Sequence, residues 1–258
     1  MFKKPLGLLG IFLIVVGIGY FVGAGVAYTK VQGGYGSLQS FSEVQNVELT
    51  YDENGDLTDR GTVEGAQGIM TLLKDDWNFP VVDSDMDPND PLVNTASEYM
   101  FQMATISFHT LNSTQNVTLT EDDIAAAIES EQLAPDGTYN GVVPAYQGQV
   151  LEPGTFEVPT NGRYWTGFDR MDLLDGPARD MAWSGTAHAL VAELGVGAAT
   201  HSTLQLALGV SALLAGLGVV STVMGVAFIM HTRMNEKKNN EAATPRSKDA
   251  AVMETTNA

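Results

Sequence analysis

The residues best suited to chemistry form an acidic run, Asp83-Ser84-Asp85-Met86-Asp87-Pro88-Asn89-Asp90. Its carboxylates stand at alternate positions, as in the first half of a calcium loop, and hard cations prefer several oxygen ligands. The run departs from an EF-hand because Pro88 replaces the sixth-position glycine and Asn94 replaces the twelfth-position glutamate. Two interpretations stay open, a solvated acidic loop or a Ca²⁺ site. The Ca²⁺ site would use four ligands: Asp83, Asp85, Asp87 and Asp90.

The other candidate side chains are scattered along the sequence. A second oxygen cluster, with the same two interpretations, lies on a predicted turn: Asp52, Asn54, Asp56 and Asp59. The histidines form no H-x-x-x-H or H-E-x-x-H pair: His109, His188, His201 and His231. Nucleophile-elbow, Walker A and dinucleotide-binding motifs are also absent from the sequence. We therefore predict no catalytic or cofactor-binding residues, and a protein that is not an enzyme.

Composition excludes further classes of site. The chain has no cysteine, which excludes disulfides, thiolate zinc sites and Cys-ligated iron–sulfur clusters. Its 13 Lys+Arg against 31 Asp+Glu give a formal charge of −18. Because phosphate binding needs clustered basic residues, we predict no nucleic-acid partner.

Two long apolar segments must position everything else. Residues 5–28 and 204–230 are 24 and 27 residues without a charge. A helix of the shorter length extends about 36 Å, enough to cross a bilayer with some tilt. We predict two transmembrane helices. A cleaved signal peptide is the alternative for the first, since Lys3 and Lys4 precede it and Gly25-Val26-Ala27 offers a cleavage site; its length favours an uncleaved anchor.

The basic residues predict the orientation of these spans. Lys3 and Lys4 precede the first span, and five basic residues follow the second: Arg233, Lys237, Lys238, Arg246 and Lys248. Both termini, residues 1–4 and the polar, disordered tail 231–258, are therefore predicted to be cytoplasmic at the plasma membrane. Residues 29–203 form an acidic extracytoplasmic domain; residues 30–203 hold 6 Lys+Arg and 27 Asp+Glu, a net charge of −21.

Small residues mark faces of the two spans where other helices could pack. The first span has Gly19-x-x-x-Gly23, and the second has Gly209, Ala212 and Gly216 on one stripe and Gly218 and Gly225 seven apart. Such faces let helix backbones approach closely, so we expect other membrane proteins, besides the lipid bilayer, as partners. The alternative is that glycine is simply frequent in membrane helices.

The sequence between the spans predicts an α+β domain. A flexible exit at Gly33–Ser37 leads to a hairpin of Val44–Tyr51 and Leu57–Glu64 around the Asn54-Gly55 turn. Four helices are expected: Ala66–Trp77, Leu92–Leu111 after an Asp90 cap, a helix from the Thr120 capping box through Leu133, and Ala178–Leu194. Three short strands are expected at Gly141–Val143, Gln149–Leu151 and Thr155–Val158.

Two further features of this domain carry alternatives. Asn112-Ser113-Thr114 and Asn116-Val117-Thr118 match the glycosylation sequon. The tryptophans Trp77, Trp165 and Trp183 could stack on sugars, but we expect them in a core, because closing a domain of this size needs large apolar side chains.

The order of parts resembles a family of small actinobacterial two-pass membrane proteins, whose members often carry the label aromatic ring-opening dioxygenase. The resemblance rests on both glycine-rich spans, on Arg60–Ile69 and on the block Asp87–Ser97. It implies the two-pass topology and no functional residues, since a non-haem iron site needs clustered His and carboxylate ligands. We predict an interaction or accessory subunit of a membrane or envelope complex. The alternative is a membrane-anchored module that binds a cation or another ligand outside the membrane.

Overall fold

The computed structural model describes residues 3–243, which are mostly helical with two long apolar helices and two small sheets. The long helices are α1 (Lys3–Gln45) and α6 (Gly185–Ala243). The shorter helices are α2 (Val63–Thr71), α3 (Ala96–Leu111), α4 (Glu121–Glu129) and α5 (Asp175–Ala182). The strands are β1 (Thr50–Tyr51), β2 (Leu57–Thr58), β3 (Thr114–Leu119) and β4 (Gly154–Pro159).

The chain divides into two compact units. The helix-pair unit contains α1 up to Gly36 and α6 from Thr203, and the central domain is Ser37–Ser202. Both long helices are apolar and long enough to cross a membrane, as predicted for residues 5–28 and 204–230. With 43 and 59 residues, they extend about 65 Å and about 90 Å, well beyond the ~30 Å hydrocarbon core of a bilayer.

Because the helices continue beyond the predicted spans, two predictions at the ends of the spans are wrong. The predicted flexible exit Gly33–Ser37 is helical, and within it Gly34 packs closely on the Leu204 side chain of α6. The helix ends only before Asn46, whose φ of +50° is the left-handed conformation of a helix C-terminus. The predicted disordered tail instead begins as α6 through Ala243, and its remainder, 244–258, lies outside the described residues.

The first sheet confirms the predicted hairpin in a shorter form. β1 and β2 pair antiparallel, with Tyr51 opposite Leu57, and Gly55 takes φ +84° in the turn between them. The predicted strands at 44–51 and 57–64 were too long. The first is shorter because Val44 and Gln45 belong to α1. The second ends at Thr58 because a tight turn follows, in which Arg60 and Gly61 have φ +48° and +80°, before Thr62 caps α2.

Capping side chains set the start of the next two helices. α3 begins at Ala96 rather than at the predicted Leu92, since Thr95, not Asp90, is its N-cap and forms a capping box with Glu98. The predicted capping box of Thr120 is confirmed, with Asp123 as its partner, although α4 ends at Glu129 instead of continuing to Leu133.

The second sheet contains one strand that was predicted and one that was not. β4 covers the predicted Thr155–Val158, and β3 pairs antiparallel to it with Val117 opposite Phe156. The sequence signal for β3 was the alternation that buries Val117 and Leu119, which the sequon interpretation overlooked. The segments predicted as strands at 141–143 and 149–151 are irregular, apart from an isolated bridge at Val150.

The predicted helix at 178–194 is interrupted between α5 and α6. Trp183 leaves helical geometry with ψ +57°, and its indole N–H donates to the Arg163 carbonyl oxygen at 3.0 Å. Ser184 then caps α6 by accepting from the N–H of Ala187. Two apolar clusters fill the central domain, one packing α2 against α3 and the start of α6, and the other packing the β3–β4 sheet against α4.

Candidate functional site

The first half of the acidic run has its own partners within the domain. Asp83 lies in a short 3-10 turn and pairs with Lys74, with Oδ1 and Nζ 3.4 Å apart. The Asp83 side chain is 91% exposed, so water screens the ion pair and the pair adds little stability. Asp85 accepts a hydrogen bond of 2.7 Å from the hydroxyl of Ser97 at the start of α3.

The second half of the run forms a separate turn. The Asp87 carboxylate accepts from the backbone and side-chain N–H groups of Asn89, and these bonds lower the pKa of Asp87. The N–H of Asp90 donates to the Asp87 carbonyl oxygen at 3.0 Å. Within residues 3–243, no three His, Asp or Glu side chains are grouped so that they could hold a metal ion. The Ca²⁺ site therefore stays a prediction for titration to test.

The side chains of the second predicted oxygen cluster, on the β1–β2 hairpin, have two different roles. Asp52 accepts from the N–H groups of Asn54 and Asp56, and these hydrogen bonds, led by that from Asp56, lower its pKa. Asp59 instead pairs with His109 of α3, with Oδ2 and Nε2 3.0 Å apart. The turn is thus organised by its own backbone, and Asp59 ties it to α3.

Glu98, at the start of α3, is a buried carboxylate that was not among the predicted site residues. It is 1% exposed and accepts from the N–H groups of Asn94 and Thr95 and from the Thr95 hydroxyl, at 2.8–2.9 Å. Burial raises the pKa of Glu98 above its ordinary value. Nearby, burial and the charge of Glu98 raise the pKa of Tyr51 to about 12. The T-x-x-E pattern from Thr95 was the available signal, because it marks a helix N-terminus.

His201 holds the same helix N-terminus from another element. Its Nδ1 accepts a hydrogen bond of 3.1 Å from the N–H of Ala96, the first residue of α3. The side chain lies three residues before the predicted span 204–230 and is 8% exposed. Burial lowers the pKa of His201, and the charge of Asp85 opposes that effect. A neutral His201 is therefore part of the fold, since a protonated Nδ1 could not accept.

The tryptophans are largely structural. Trp183 is 3% exposed, and Trp77 packs against the same cluster while its indole N–H donates to the Tyr164 hydroxyl at 2.8 Å. Core packing is thus confirmed for both. Trp165 is 37% exposed and lies edge-on against Trp183, with ring centroids 5.5 Å apart.

The two sequon asparagines occupy different positions. Asn112 follows α3, and its amide donates to the Phe108 carbonyl oxygen at 2.8 Å. Asn116 lies exposed on β3, opposite Glu157. Use of either sequon stays a prediction.

The helix-pair unit contains an inner glycine row, defined as Gly10, Gly17, Gly218 and Gly225. A Cβ placed on Gly10 would lie 2.7 Å from the Gly225 carbonyl oxygen, and one on Gly218 would lie 3.1 Å from that of Gly17. α1 and α6 therefore approach each other backbone to backbone, which only small residues permit.

Four other glycines of this unit are together called the outer glycine row. They are Gly19 and Gly25 of α1, which point in different directions, and Gly209 and Gly216 of α6, which lie seven residues apart on one face. A Cβ on any of them would meet no described atom within 4 Å. The predicted pair Gly218 and Gly225 thus serves packing within the chain, whereas the predicted stripe of Gly209 and Gly216 is left open.

Comparisons with protein-family models, curated proteins and solved structures find no match to this chain.

Proposed function

We propose that this chain is a two-pass plasma-membrane protein with both termini in the cytoplasm, acting as an accessory subunit of a membrane or envelope complex. The observation that carries the proposal is the contrast between the two glycine rows. The glycines of the inner row lie in the contact between α1 and α6, whereas those of the outer row lie among exposed apolar side chains. Small residues on such a surface allow the backbone of a further helix to approach.

The charge distribution supports the orientation. Residues 30–203 hold 6 Lys+Arg and 27 Asp+Glu, whereas Lys3 and Lys4 precede the first span and basic residues follow the second. Basic residues near spans are retained on the cytoplasmic side. The acidic surface of this domain also favours the approach of partners whose surfaces are basic.

The absence of cysteine makes the orientation directly testable. We would introduce single cysteines at exposed positions, Glu53→Cys in the β1–β2 turn and Glu241→Cys near the end of α6. A membrane-impermeant maleimide should label Glu53→Cys in intact cells and Glu241→Cys only after permeabilisation. The reverse pattern would contradict the proposed topology.

The accessory role is tested by native electrophoresis of gently solubilised membranes. We expect the wild-type chain to migrate in an assembly larger than its monomer. Gly209→Leu in the outer row should release the chain from that assembly, while Val210→Leu, on the neighbouring exposed position, should not. Migration of the wild type only as a monomer, or equal effects of the two variants, would overturn the role.

A further inference from the structure

The central domain contains an open cleft of about 400 Å³ between the end of α2 and the end of α3. This volume lies within the range of about 300–1,000 Å³ that is usual for small-molecule sites. Three apolar side chains form its floor: Leu72, Phe108 and Leu111. Three polar side chains form its rim: Thr71, Asp76 and Asn112.

The backbone of α2 builds one wall of this cleft in an unusual way. After Thr71 the helix widens into a π turn, Leu72–Asp76, in which the N–H of Trp77 donates to the Leu72 carbonyl oxygen at 3.0 Å. π turns are rare in proteins, and those that occur often lie at functional sites. This one supplies a buried floor residue, Leu72, and an exposed rim carboxylate, Asp76.

Close packing fixes the floor. The Phe108 ring lies directly on the backbone of α2, since a Cβ placed on Gly68 would be 2.8 Å from Cζ of that ring. Leu72 and Leu111, which line the same cleft, are 7% and 8% exposed. The floor is therefore a preformed apolar surface that a ligand does not need to order, which lowers the entropic cost of binding.

The rim offers hydrogen-bond acceptors. The Asn112 amide N–H₂ already donates to the Phe108 carbonyl oxygen, which leaves its side-chain oxygen as an acceptor. The Asp76 carboxylate makes no hydrogen bond or ion pair with another side chain in the part of the chain that the structure describes. No lysine or arginine lines the cleft. The Asp76 carboxylate is therefore complementary to a ligand group that donates hydrogen bonds and carries positive charge.

We propose that this cleft binds a small organic cation, with its ammonium group at Asp76 and Asn112 and its apolar body on Leu72, Phe108 and Leu111. The net charge of −21 across residues 30–203 raises the local concentration of such cations. The site is separate from the acidic run at 83–90 and does not depend on Ca²⁺.

The test uses the full chain in nanodiscs of zwitterionic phosphatidylcholine, which has no net charge, with para-fluorophenethylamine as the probe. Fluorine NMR line broadening, corrected for empty nanodiscs, reports binding. We expect the wild type to bind the amine, and Asp76→Asn to weaken binding by about threefold or more, as for removal of a partly screened charge pair. Asp75→Asn is the matched control, since Asp75 is exposed on the same π turn but does not line the cleft.

An uncharged analogue separates charge recognition from partitioning onto apolar surface. para-Fluorophenylethanol should bind the wild type more weakly than the amine does, and Asp76→Asn should bind both probes alike. The proposal is overturned by any of three results. These are no wild-type binding above the empty-disc blank, equal losses in the Asp75 and Asp76 variants, or equal binding of alcohol and amine by the wild type.

Discussion

Protonation of His201 should weaken the central domain between neutral and mildly acidic pH. Its Nδ1 accepts from the N–H of Ala96, and both residues are buried. Burial lowers the pKa of folded His201 below its ordinary value of 6.5. The unfolded chain therefore takes up the proton first as the pH falls. The stability from this contact is complete above about pH 6.5 and declines as the pH drops below it.

The magnitude follows from what protonation removes. An unpaired buried N–H costs about 1–3 kcal/mol, and a positive charge at a helix N-terminus costs about 0.3–1 kcal/mol. The negative charge of Asp85 stabilises protonated His201 and so offsets part of this cost. Glu98 lies at the same helix end, but its carboxylate already accepts hydrogen bonds from Asn94 and Thr95. Linkage to one proton limits the change to about 1.4 kcal/mol per pH unit. We expect a net loss of about 1–2 kcal/mol between pH 7 and pH 5.

Tryptophan fluorescence is a suitable assay, because all three tryptophans of the chain lie in the central domain. For a domain of this size, the expected loss lowers Tm by about 2–8 °C. His201→Asn keeps an acceptor oxygen in the place of Nδ1 but does not titrate, so its melting should lack this pH dependence. His201→Leu should be destabilised at both pH values. Equal pH dependence in the wild type and His201→Asn would refute the reasoning.

Three further predictions concern packing, capping and Ca²⁺. Gly225→Leu should cost about 1–3 kcal/mol of unfolding free energy by overpacking the inner glycine row. Gly216→Leu in the outer row should stay within about 0.5 kcal/mol, and denaturant titration in detergent compares the two. Glu98→Gln keeps the size of the side chain but replaces an acceptor of three hydrogen bonds, and should lower stability by about 1–3 kcal/mol in urea melts. If the acidic run binds Ca²⁺, the full chain should release or absorb heat on calcium titration, and Asp87→Asn should reduce that heat; no heat with the wild type removes the hypothesis.

Local signals predicted much of the fold because they act over a few residues. The Asn54-Gly55 turn, the capping box of Thr120 and strand β4 all follow from neighbouring side chains, and the structure confirms them. Element ends were less predictable. The start of α3 was misplaced because Asp90-Pro91 and Thr95 both resemble caps, and only Thr95 has a buried Glu98 to complete the box.

The candidate sites depend on contacts that no local pattern contains. His201 and Ala96 are 105 residues apart, and the cleft joins a π turn to the far end of α3. A π turn has no sequence signature comparable to a capping box. The side chains that line it could therefore be found only once α2 and α3 were packed together.

The sequence by itself determined that two uncharged segments are long enough to cross a membrane, and that the acidic residues are concentrated between them. Both are properties of composition along the chain, which folding does not alter. Only the tertiary structure decided which glycines pack between α1 and α6 and which are left without a packing neighbour, because the two rows look alike in sequence. It also decided that Glu98 and His201 are buried at one helix end, since burial depends on what the rest of the chain places around them.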